Sequence, residues 1–167
     1  MKHIIKSRLL LATTGLCSLL LSAAASADYR VTAFGYSSEF DALLSQDVAS
    51  AKSILSDRPL ASLDFVQANN LCVTRILAEE FAAAEVACSA ALEKVEKDLS
   101  IGVVATRDAK ASIYSNLAVA MAMNGNIPAA SAALETALSF NAGDKNAVAN
   151  YSLVSQKLPA SELALSF

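Results

Sequence analysis

The chain predicts an all-α fold of antiparallel helical hairpins, and three observations point there. Tyr114, Leu117, Ala118 and Met121 fall at i, i+3, i+4 and i+7, which sets apolar groups on one helical face. Asn124-Gly125-Asn126 then breaks that helix, and a returning face of Ile127, Ala130, Leu134, Ala137 and Leu138 follows, with Pro128 near its start. The turn itself recurs. Asp47-Val48-Ala49-Ser50-Ala51, Glu80-Phe81-Ala82-Ala83-Ala84 and Asn126-Ile127-Pro128-Ala129-Ala130 each join a polar residue, an apolar residue and an alanine three later.

In chain order, residues 1–27 read as a secretory signal. Lys2, Lys6 and Arg8 form a basic start, Leu9 to Leu21 is a short apolar core, and Ala25-Ser26-Ala27 is a cleavage signal ahead of Asp28. Leu16 is too bulky to make Cys17 a lipid-attachment site. The expected location is therefore periplasmic or secreted, with no membrane span after signal cleavage. Cleavage leaves 140 residues and removes three of the 13 basic residues but none of the 16 acidic ones, for a net charge of −6. That acidity, without a basic cluster, argues against nucleic acid and against anionic membrane surfaces.

Residues 28–38, DYRVTAFGYSS, alternate weakly and are read as a flexible leader, with an extended arm as the second conformation. The helical domain is expected over 39–167. Ser37 or Ser38 caps a first helix with Phe40, Leu43 and Leu44, and a second carries Val48, Ala51, Ile54 and Leu55 as far as Asp57-Arg58-Pro59. A longer helix from Asp64 bears Leu71, Cys72 and Arg75; after Glu80, Phe81, Ala84, Cys88, Ala91 and Leu92 form its return. Leu99 to Val104 is a continued helix or an irregular link, and Thr106 or Asp108 caps the next helix. Beyond the hairpin that ends near Ala142, Gly143-Asp144 restarts a helix with Val148, Tyr151, Ser152 and Ser155, which Pro159 stops.

The first two turns are 33 residues apart and the last two 46. With the small and large residues at Leu117, Ala118, Gly125, Ala130, Leu134, Ala137 and Leu138, this pattern resembles the tetratricopeptide repeat, whose period is about 34. Leu71, Cys72, Ala84, Ala91 and Leu92 fit it in the preceding unit, where Glu79 stands at the expected glycine; the first unit keeps Ala51 and Leu55. The resemblance implies a short right-handed solenoid with units near 39–58, 62–98 and 106–142 and a C-terminal capping helix at 144–158. Lengthened helices around Leu99 to Lys110 would absorb the extra residues. An ordinary alanine-rich bundle is the alternative, since small residues let helices approach in either.

Cys72 and Cys88 lie eight residues either side of Glu80, so equal steps up and down two helices set them at one height. Export and an even cysteine count favour a disulfide; two buried free thiols are the other state. Catalysis is not expected. Without His3 the mature chain has no histidine for a triad or an imidazole ligand, two cysteines make no zinc site, and no glycine-rich phosphate loop is present. No cofactor is expected.

The resemblance also implies a concave groove lined by the first helix of each unit. On this chain those positions are Asn69, Val73, Ile76 and Leu77, then Ser115, Val119, Ala122 and Met123, then Ala149 and Leu153. The groove is apolar, and it lacks the Lys/Asn pairs with which some relatives hold a carboxyl terminus. The implied role is binding another protein or peptide, as a helix or extended apolar segment; the alternatives are a structural or assembly protein of the cell envelope that self-associates through this groove and, third, a histidine-free enzyme. The competing reading is a groove filled by a neighbouring helix or by the chain's own C-terminal tail.

Overall fold

The structure, a computed structural model, describes residues 29–35 and 37–158. The signal at 1–27 and the C-terminal tail lie outside the described residues. Among those described, all regular structure is helical. The described residues form seven α-helices: α1 Ser38–Leu44, α2 Val48–Ser56, α3 Phe65–Leu77, α4 Phe81–Lys97, α5 Val103–Met123, α6 Ile127–Phe140 and α7 Lys145–Ser155. A 3-10 turn at Leu60–Ser62 links α2 to α3.

Local chemistry explains where the helices begin. The Asp47 carboxylate accepts from the Ser50 N–H at 3.0 Å, and the Asn126 side chain accepts from Ala129 N–H at 3.2 Å. Asp64 and Gln67 form a reciprocal capping box on α3, and Asp144 accepts from the N–H groups of Asn146 and Ala147. Helix α5 departs from expectation. It starts after Gly102, not at Thr106 or Asp108, and runs for 21 residues.

Three turns close identically. Gln46, Glu79 and Gly125 have φ of 59°, 60° and 89°, the left-handed region. At each, the following residue donates its N–H five residues back: Asp47 to Ala42, Glu80 to Arg75 and Asn126 to Met121, at 2.9, 2.8 and 2.8 Å. The left-handed residue donates to the carbonyl three back in all three, which completes a Schellman motif. Glutamate thus occupies the backbone conformation that the repeat pattern reserves for glycine.

Packing follows from alanine. Helix pairs α1/α2, α3/α4 and α5/α6 each close on themselves; α4 then packs on α5 and α6 on α7, while α3 meets α5 and α5 meets α7. The main core gathers Leu55, Leu71, Val95 and Ile113 with Ala84, Ala87 and Ala91. A second cluster joins Ala118, Ala130, Leu134, Ala137, Ala147 and Val154 across α5, α6 and α7. The small residues at these crossings are what let the helix axes come close. On α7 the buried face is Ala147, Asn150 and Val154; Val148 and Ser152 point outward, so the apolar face expected there is rotated. A side-chain amide at Asn150 hid that register from hydrophobic periodicity.

Cys72 on α3 and Cys88 on α4 form a disulfide with a Cα–Cα distance of 5.2 Å, inside the main core. The bridge ties the two helices that Glu80 joins.

Candidate functional site

Helices α3, α5 and α7 present asparagines toward one extended stretch of chain, residues 29–34. This stretch is the leader, and it adopts the extended conformation in place of the flexible one. Asn150 accepts from the Arg30 N–H at 2.8 Å and donates to the Arg30 carbonyl at 2.7 Å. Asn116 treats Thr32 the same way, at 2.8 and 2.8 Å. Asn70 treats Phe34 likewise, again at 2.8 and 2.8 Å.

The geometry has a simple cause. In an extended residue the N–H and C=O point to the same side, and a primary amide offers an acceptor and a donor at matching spacing. Each asparagine therefore replaces one rung of a neighbouring strand. Because the strand's period is two, residues 30, 32 and 34 present their main chain to successive helices. The arm steps from α7 to α5 to α3, against the order of the helices in the chain.

The clamps are themselves held. Asn69 donates to the Thr32 carbonyl at 2.9 Å and accepts from Asn116 Nδ2 at 2.8 Å. Asn150 Nδ2 also donates to Ser115 Oγ at 3.0 Å. Asn69, Asn70, Asn116 and Asn150 are all 0 % exposed. Four fully buried amides in helix interiors run against helix propensity, and their bonding to the arm is what makes that burial tolerable.

Side chains of the arm add apolar contacts. Val31 and Ala33 pack on Leu43, Ala51 and Val73, and the Phe34 ring meets Phe65 edge-on at 6.3 Å. Asn146 donates to Thr32 Oγ1 at 2.9 Å, and Lys157 Nζ donates to the Tyr29 hydroxyl at 3.0 Å. Beside the arm lies a largely apolar cavity of about 110 Å³, lined by Tyr29, Val31, Ile76, Leu77, Glu79, Phe81, Val119 and Met123.

The groove positions expected from the sequence divide accordingly. Asn69 bonds the arm, Val73 packs on it, and Ile76, Leu77, Val119 and Met123 line the cavity. Ser115 stands one step behind, against Asn150, and Ala122 joins the cluster around Leu134. Ala149 and Leu153 are half-buried and line neither the cavity nor the shallow cleft beside Leu43. Asn70, Asn116 and Asn150, which make the paired bonds, were not among the expected positions. A signal did exist: Asn116 and Asn150 are 34 residues apart, the spacing expected between equivalent positions if the chain repeats as the resemblance implies.

Among the described residues no three His, Cys, Asp or Glu side chains group as metal ligands, and no helix is long and apolar enough to cross a membrane. Comparison with known proteins finds no matching family model, no matching curated protein and no matching solved structure.

Proposed function

We propose that this protein is an exported interaction module of the tetratricopeptide-like class, not an enzyme, whose groove holds an extended segment of another polypeptide. One observation carries the reading. Three asparagines on three successive groove helices bond the main chain of alternate residues in one extended strand. Main-chain recognition fixes a ligand's conformation and leaves its sequence open, as when a peptide adds to a sheet edge.

Supporting the solenoid reading are three equivalent turns and the packing of α3 on α5 and α5 on α7. Supporting export is the Cys72–Cys88 bridge, since such bonds persist in oxidising compartments. The test is affinity capture from periplasmic extract with the wild-type chain and with Leu77→Asp or Met123→Asp. Capture that both variants abolish, with folding intact by circular dichroism, is the expected result. Capture that survives both removes the groove from the account.

Self-association is the second reading. It draws on Leu99 in the α4–α5 link and on Val103 and Val104 at the start of α5, which stand largely exposed. Light scattering separates the two: a monomer at high micromolar concentration excludes self-association.

A further inference from the structure

The groove is already occupied, and its occupant describes the ligand it can take. We propose that residues 29–34 are a resident, displaceable occupant, and that the external partner is an extended segment carrying a larger apolar side chain than Val31 at the register of Val31. This rests on the reading of the groove as a peptide site and adds its regulation and its specificity.

Two features of the site support the claim. All six bonds in the paired clamps go to main-chain atoms of Arg30, Thr32 and Phe34, so another extended segment without proline at those registers makes the same bonds. The arm also fits the groove incompletely. Tyr29 and Val31 leave the cavity of about 110 Å³ unfilled against Ile76, Leu77, Phe81, Val119 and Met123, with Glu79 the one charged residue in its lining.

The second feature answers a competition problem. A tethered segment competes at an effective concentration on the order of millimolar, so a partner with only the same contacts loses to it. A leucine, methionine or phenylalanine at the Val31 register buries further carbon in the cavity. Each added methylene is worth about fourfold in affinity. The groove is thus closed to segments that only imitate the arm and open to those that fill the space it leaves.

The experiment uses the purified full chain, unmodified or with Thr32→Pro, and labelled peptides read by fluorescence anisotropy. Thr32→Pro removes the N–H that Asn116 accepts and so weakens the tethered competitor. The peptides are the arm sequence YRVTAF, its Val31→Leu form and its Thr32→Pro form. The expected result has three parts: the Thr32→Pro chain binds the leucine peptide at least about tenfold tighter than the unmodified chain, leucine exceeds valine about fourfold, and the proline peptide does not bind.

Equal affinity of both chains, or no binding to a folded Thr32→Pro chain, overturns the proposal. If that peptide result is negative while Leu77→Asp still abolishes partner capture, the displaceable arm falls and the interaction module stands. A Thr32→Pro chain that dimerises and thereby excludes peptide assigns the groove to a second copy, which also overturns it. Should Thr32→Pro fail to fold, Arg30→Pro, which loses one bond to Asn150 at the arm's end, replaces it under the same criteria.

Discussion

Asn116 and Thr32, 84 residues apart in sequence, exchange two hydrogen bonds of 2.8 Å, and a second side-chain amide, Asn69, closes on the same carbonyl. Truncation here leaves the Thr32 N–H and the Asn69 oxygen without their partner. Asn116→Ala is expected to cost about 2–3 kcal/mol in urea unfolding, the penalty of stranding buried polar groups. Asn70→Ala, whose amide bonds only Phe34 on the arm, is expected to cost less. Amide exchange at Thr32 should accelerate in the first variant; unchanged protection there would show that the clamp does not hold the arm.

The disulfide spans 16 residues of chain and joins the two helices of the α3/α4 hairpin. In the loop-entropy model a closed loop of that length stabilises by about 3 kcal/mol. Cys72→Ala with Cys88→Ala should lower stability by that order. Mass spectrometry under non-reducing conditions should find no free thiol at either position in the folded protein.

The left-handed turns permit a test with opposite signs. A non-glycine residue at positive φ is strained by roughly 1–2 kcal/mol. Glu79→Gly should therefore stabilise by about 0.5–1 kcal/mol after glycine's greater unfolded-state entropy is subtracted. Gly125→Ala should destabilise by about 1 kcal/mol, and purely through the backbone, because an added Cβ meets nothing within 4 Å. Chemical denaturation of both variants decides it.

Ala118, Ala130 and Ala137 have no exposed surface and lie together where α5 crosses α6. Ala118→Leu or Ala130→Leu should cost about 1–3 kcal/mol or more by forcing the helices apart. Thermal unfolding should show this, whereas Ala142→Leu, on an exposed turn, should change little.

Much of this was legible in the residues. Ala130, Leu134 and Ala137 recur at the helical period because one face of α6 must be apolar, and they are buried as that period requires. Cys72 and Cys88 were readable because equal steps from a turn define equal heights. The clamp was not. Asn70, Asn116 and Asn150 carry no apolar signal, so a search for hydrophobic faces passes over them, and on α7 it rotates the face.

By itself the sequence determined the all-helical character, the three turns and the equal heights of the two cysteines, since each depends on residues close in the chain. Whether the two cysteines were bonded, and what filled the groove, only the tertiary structure decided. The leader's own residues alternate too weakly to specify a strand. Its conformation comes from amides contributed 36, 84 and 120 residues away. An extended segment has no internal hydrogen bonds to announce it, so its order depends on the partners that the fold brings to it.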